Sequence, residues 1–244
     1  MVAAVVTNSV FGFLRIAVML AVFEAGTRTV AGYNEPQIAT FVFAGQGLIG
    51  VVLLWALPEL AERIRTGDIV TDLLRPIDPV WQQLAGDLGR AGYAVLTRFV
   101  VPVVVGALVF ELYAPKRSVT YGLFMCSMVL ATIVCFACRY LVNASAYWLL
   151  DVRGPQTAWV LTSGIFGGLF VPVWFFGDAM AIGLIMATPF PSLIQIPLDI
   201  LIERGSTTVR LGLLAVQGGW VVALLALCRW VQSRGERKLV IQGG

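Results

Sequence analysis

Four cysteines, no histidine and a few polar side chains stranded in apolar runs make up the chemical inventory of this 244-residue chain. Cys135 and Cys138 form a Cys-x-x-Cys pair, a spacing that suits thiol redox or metal binding. With lipid-like flanks and no histidine anywhere, they read instead as small core residues, as do Cys126 and Cys228, so neither a disulfide framework nor a metal site is expected. There is no Gly-x-x-x-x-Gly-Lys-Ser/Thr stretch to cradle phosphate. No catalytic residue emerges, which leaves two resources: polar groups placed in lipid, and surfaces offered to partners.

The polar groups inside apolar runs are Asn8 and Arg15, then Gln46, then Thr162 and Ser163, and last Gln217. Arg15 is the sharpest of them, because a charge at mid-membrane is costly unless it meets protein, water or a headgroup. It pairs across helices or lines a pathway, or it snorkels to an interface. No series of membrane carboxylates accompanies it, which argues against a proton- or sodium-driven carrier. A second concentration of chemistry is the charged run at 61–90, where Glu62, Arg65, Asp68, Asp72 and Arg75 alternate with aliphatic residues.

The elements that must position these residues are membrane helices. The chain is 59% hydrophobic and 13% charged, about half the charge of an ordinary soluble domain. A spanning helix needs about 20 apolar residues, and such runs occur at 2–23, 38–57, 95–112, 121–141, 158–176 and 211–231. The first continues past signal-peptide length without a small-residue cleavage pattern, so it reads as a retained helix. The net charge of +3 is too dispersed to suggest nucleic acid. The expected fold is an all-α integral membrane protein, one domain over 1–244 with six transmembrane helices.

Orientation follows from the positive-inside rule. Cytoplasmic termini gather Arg63, Arg65, Arg75, Arg90, Arg98, Arg139, Arg153, Arg229, Arg234, Arg237 and Lys238 on one side, leaving Arg28, Lys116, Arg117, Arg204 and Arg210 on the other. The loop at 60–94 is then cytosolic. It reads as two amphipathic helices, with Leu60, Ile64, Val70, Leu73, Leu74 and Ile77 on the apolar face and the charged residues opposite. Gly67 bends the first helix, Pro76 ends it, and Asp78 before Pro79 signals the N-cap of the second, which carries Trp81, Leu84 and Leu88 and feeds into the third span near Arg98.

At 177–210, two apolar pieces (179–188 and 192–202) are each too short to cross and are separated by Pro-Phe-Pro. They predict an extracellular re-entrant hairpin that holds Asp199, Glu203 and Arg204 near water. The fourth helix is expected to run on along the inner interface until Gly154 and Pro155 break it, with Tyr147 and Trp148 in an aromatic belt. The Asn-Ala-Ser sequon at Asn143 faces the cytosol in this topology. Glycines Gly45, Gly47 and Gly50, and Gly164, Gly167 and Gly168, favour close helix packing over substrate contact.

Assembled in this way, the chain resembles the type-2 ABC transporter permeases, in the branch of small permeases encoded in pairs beside one ATPase. The residues that carry the resemblance are GDIVTDLLRPIDP at 67–79, VFGFLR at 10–15, PFPSLIQIPLDIL at 189–201 and the terminal VIQGG at 240–244. The resemblance implies a permease that dimerises as a homo- or heterodimer and sits on a separate ABC ATPase, which binds ATP and Mg; no cofactor is expected in this chain. It makes 60–94 the coupling loop, with Glu62, Arg65, Asp68, Asp72 and Arg75 as polar contacts to the ATPase and Pro76 and Asp78 shaping the turn. Asn8, Arg15, Gln46, Thr162, Ser163 and Gln217 become candidates for a pathway. Relatives carry a basic amphipathic segment before the first span; here the apolar run follows Met1 at once, so either the true start lies upstream or that element is lacking. The implied function is export of an amphipathic or lipophilic molecule across a bacterial plasma membrane. The alternatives are a secondary transporter, or a membrane scaffold whose loop docks a cytosolic partner.

Overall fold

The structure, a computed structural model, describes residues 2–24, 30–55, 59–149 and 151–238, and among these it is all helical apart from one isolated bridge between Val30 and Tyr33. The motif at 240–244 lies outside the described residues. The helices are α1 (Val2–Glu24), α2 (Glu35–Val52), α3 (Glu59–Thr66), α4 (Ile69–Leu73), α5 (Pro79–Ala94), α6 (Val100–Val109), α7 (Ser118–Ala144), α8 (Arg153–Phe166), α9 (Asp178–Ala187), α10 (Gln195–Leu201) and α11 (Thr207–Glu236). Among the described residues three helical stretches are long and apolar enough to cross a membrane: Pro79–Val109, Ser118–Tyr147 and Thr207–Glu236.

α2 is the central element. A capping box starts it, in which Asn34 Oδ1 accepts from the Gln37 amide (3.0 Å) and Gln37 Oε1 accepts from the Asn34 amide (3.1 Å). Fourteen of its 18 residues are buried, so protein surrounds it on every side. Its glycines permit this. A Cβ on Gly47 would stand 2.7 Å from Phe99 Cα, and one on Gly50 2.8 Å from Arg98 Cβ, so neither position has room for a side chain. The helix pressed against this face is not regular: α5 and α6 are joined by a π turn at Val95–Phe99, the kind of local widening that bends a helix. They form one element of 31 residues, about 46 Å long at 1.5 Å per residue.

α7 and α11 pack along much of their lengths and are tied at depth by Gln217. Ser127 Oγ donates to Gln217 Oε1 (2.7 Å), and Gln217 Nε2 donates to the Ser192 carbonyl (2.9 Å). Gln217 lies about 15 Å along α11 from Thr207. The turn between α9 and α10 therefore reaches about that far into the bundle, where Phe190 meets Trp159 and Phe166.

Three sequence expectations need correction. The apolar run at 158–176 is not one helix: α8 stops at Phe166, where Gly167 and Gly168 (φ 82°) turn the chain. A Cβ on Gly167 would lie 2.2 Å from the Ser163 carbonyl oxygen, so glycine permits this turn. The 14 residues of α8 reach only about 21 Å. The fourth helix ends at Ala144 in a short 3-10 turn, and Gly154 and Pro155 open α8 instead of closing α7. Asp199 does not reach water: it is fully buried.

Candidate functional site

The segment at 59–94 folds as two parts of unequal firmness. Gly67 (φ 84°) supplies the left-handed turn between α3 and α4. Across that turn, Thr66 Oγ1 donates to Asp68 Oδ2 (2.8 Å), and Arg63 Nη2 pairs with Asp72 Oδ2 (2.7 Å). Asp72 is therefore not on the open polar face that the amphipathic pattern assigned to it; it is 7% exposed. α4 has only five residues, too few to keep the register of α3, so the periodicity breaks at Gly67. The apolar assignment holds for Leu60 and Ile64, which are buried, and fails beyond α4, where Leu74 is 81% exposed and Ile77 is exposed with it. Glu62, Arg65, Asp68, Arg75 and Pro76 are exposed, with a loose Glu62–Arg65 contact of 3.6 Å. Arg75 makes no ion pair among the described residues.

α5 is fastened far more strongly. Asp78 caps it, accepting from the Val80 amide at 2.8 Å, with Pro79 as the first helical residue. About two and a half turns further along, Asp87 takes Arg90 Nε at 2.9 Å and Arg139 Nη2 of α7 at 2.6 Å. Arg90 then spans to the carbonyls of Gly50 (3.2 Å) and Val51 (2.8 Å), placing a cation on the unsatisfied C-terminal carbonyls of α2. Trp159 Nε1 donates to the Leu54 carbonyl at 2.9 Å and brings α8 to the same point. Thus α2, α5, α7 and α8 converge. A cleft of about 400 Å³ opens there between Leu60, Arg63, Gln82, Asp87, Arg139 and Asn143.

The intramembrane candidates are not brought together as one lining. Thr162 Oγ1 and Ser163 Oγ donate back to carbonyls of their own helix, Ala158 at 2.6 Å and Val160 at 3.3 Å, which satisfies them locally. Gln217 is the α7–α11 junction described above. Gln46 is buried, with its Cγ 3.6 Å from the Cβ position of Gly12; Asn8 is half-buried on α1. Arg15 has no partner among the described residues: Nε, Nη1 and Nη2 are all buried without a hydrogen bond.

Sequence reasoning missed two polar clusters at the other end of the bundle. In the first, the Asp199 carboxylate accepts from Tyr33 Oη (3.0 Å), Gln195 Nε2 (2.8 Å) and Trp174 Nε1 (2.7 Å), while the Arg204 guanidinium lies 4.5 Å from the ring centres of both Tyr33 and Trp174. In the second, Glu203 accepts from Tyr113 Oη (2.8 Å), Thr120 Oγ1 and the amides of Lys116 (3.1 Å) and Arg117 (3.2 Å), with Arg210 Nη1 at 3.5 Å. Burial pushes the Glu203 carboxyl up, but these donors outweigh it and hold it down at about 2. The backbone at Glu203 is left-handed (φ 56°), which turns the carboxylate toward the 110–117 loop. The only sequence signal for either cluster is a lone acid in an apolar stretch.

A family model described as ABC-2 family transporter protein matches residues 9–243. No curated protein and no solved structure matches the chain.

Proposed function

The chain belongs to the ABC-2 transporter family, and from that premise we propose that it is the membrane-spanning subunit of an ATP-driven exporter. It works as one of two permease chains, identical or sister, on an ABC ATPase that binds ATP and Mg. α1, α2, α5–α6, α7, α8 and α11 are its six crossings in a bacterial plasma membrane, with both termini cytoplasmic. α8 crosses only part-way, and the α9–α10 hairpin, entering from the outside, completes that layer. The depth at which Ser192 meets Gln217 supports the re-entrant reading. The arginine bias supports the orientation.

The observation that carries the mechanism is the join between an exposed tip and a long, rigid lever. The hydrocarbon core is about 30 Å thick, so a 46 Å helix projects well beyond it. The projecting part, α5, is the part that Asp87 and Arg90 bolt to α7 and to the end of α2. Leu74, Arg75, Pro76 and Ile77 form the tip, an apolar and cationic knuckle for the ATPase surface, with Glu62, Arg65 and Asp68 flanking it. Contacts at the tip that differ between the ATP-bound and ATP-free partner shift the equilibrium between two arrangements of the helices. The lever passes that difference through the π turn to Gly47 and Gly50 of α2, and the spans tilt to release an amphipathic or lipophilic cargo outward.

The test is affinity purification of the chain from its own membrane in mild detergent, with quantification of stoichiometric partners by mass spectrometry. A P-loop ATPase, alone or with a second permease chain, is expected. Its absence both from the purified complex and from crosslinked membranes would sink the permease reading.

A further inference from the structure

Resting on that reading, we propose that Arg15 is an anion receptor in the middle of the membrane, and hence that the cargo is an amphipathic anion with a carboxylate, sulfonate or phosphate head on an apolar body. The Arg15 backbone lies about 13 Å along the axis from the Glu24 end of α1 and about 20 Å from its start. Its Nη1 is 3.9 Å from the Cβ position of Gly45, which in turn is 3.3 Å from Leu198 of α10. The charge is therefore folded into the junction of α1, α2 and the hairpin, not directed to an aqueous interface. Its three nitrogens meet no acceptor among the described residues, and a buried guanidinium without a counter-charge is strongly unfavourable.

Among the described residues no anion is offered to it. Of its acidic residues, Asp199 is next in the chain to Leu198, which packs on Gly45, and both Asp199 oxygens are already taken by Tyr33, Gln195 and Trp174. The others sit at helix ends, in loops or in the 59–94 segment. A second identical copy brings the same inventory. The surroundings then describe the rest of the ligand: Phe11, Val18 and Val22 recur with Arg15 at spacings of four and three along one face of α1, and all three are exposed. Leu14, also exposed, widens that stripe. An apolar body laid along it brings its anionic head to the edge of the α1–α2 junction that encloses the Arg15 nitrogens.

The experiment uses the full chain in phosphatidylcholine nanodiscs, titrated with 11-(dansylamino)undecanoate and with the corresponding primary amide, which has the same body without the charge. Wild type is expected to bind the acid roughly tenfold or more tightly than the amide, the range of a charge-assisted pair. Arg15→Gln abolishes the preference, Arg15→Lys keeps part of it, and both retain amide binding, which shows that they are folded. If phosphatidylglycerol in the nanodisc removes the acid preference of wild type only, the anion is a lipid headgroup; if it does not, the anion is a free amphiphile. Equal binding of acid and amide by wild type, or an acid preference that survives Arg15→Gln, overturns the proposal. So does a carboxylate of a sister chain crosslinked to Arg15. No ATPase is present in the titration, so its result and that of the partner purification can fail independently.

Discussion

Replacing Asp87 by alanine removes the one acceptor shared by Arg90 and Arg139. Asp87 and Arg139 are 10% and 13% exposed at their side chains, against 30% for Arg90. Arg139 Nε already lacks a partner, so the substitution strands its guanidinium. Breaking a buried pair by removing one member costs about 3–5 kcal/mol; because Arg90 keeps the Gly50 and Val51 carbonyls and some solvent, the low end applies, about 3 kcal/mol, or more than a hundredfold in the folded population. Removing the stranded charge as well should restore most of this: the double variant Asp87→Ala, Arg139→Met is expected within about 1 kcal/mol of wild type, since apolar replacement of a buried pair is close to neutral. The assay is steric trapping in maltoside micelles on the two single variants and the double variant, a thermodynamic cycle that isolates the pair term. A loss under about 0.5 kcal/mol in Asp87→Ala, or a double variant no better than the single one, would refute the claim that this carboxylate clamps α5 to α7.

Three further outcomes are expected. Leu74→Ser with Ile77→Ser should leave membrane insertion intact but lower recovery of the ATPase on copurification by tenfold or more, at about 1–2 kcal/mol for each apolar contact; unchanged recovery would move the docking surface elsewhere. Gly47→Ala should destabilise by about 1–3 kcal/mol through overpacking against Phe99, whereas Gly122→Ala, with nothing within 4 Å of its Cβ position, should be neutral; equal melting temperatures for the two would show that α2 and the π turn are not in close contact. Glu203 is held at about 2, below its ordinary 4.5, so its contribution is fully present above about pH 4.5 and is lost as pH falls through about 2. The melting-temperature gap between wild type and Glu203→Gln should therefore be flat from pH 5 to 8 and narrow on acidification; a gap that widens toward low pH contradicts the assignment.

What the sequence revealed was local. Asp78 followed by Pro79 named its own helix start because both cap atoms lie within two residues, and Gly67 marked its turn because only glycine reaches that φ without strain. The glycines of α2 were legible as a packing face, though not that they face a π turn, since Val95–Phe99 has the same composition as ordinary helix. Apolar runs report burial and not helical continuity, so the break at Gly167 was invisible inside 158–176. Asp72 was misplaced because a five-residue helix after a left-handed turn does not inherit the register of the one before it. Asp199 was misplaced for a different reason: its partner Tyr33 is 166 residues away, and no local pattern encodes that meeting.

The same long separations set an order of assembly during synthesis. Tyr113 closes on Glu203, which is 90 residues further along the chain, and translation proceeds at about 5–20 residues per second. For roughly 5 to 20 seconds the loop between α6 and α7 has been made while the residue that fastens it has not. Tyr33 waits longer still for Asp199. The earlier helices therefore enter the membrane with one end of the bundle unlatched, and the α9–α10 segment acts as a late-arriving clasp, so a nascent chain cut short before residue 199 is expected to expose Tyr33 and Tyr113 to quality-control proteases that the finished protein escapes.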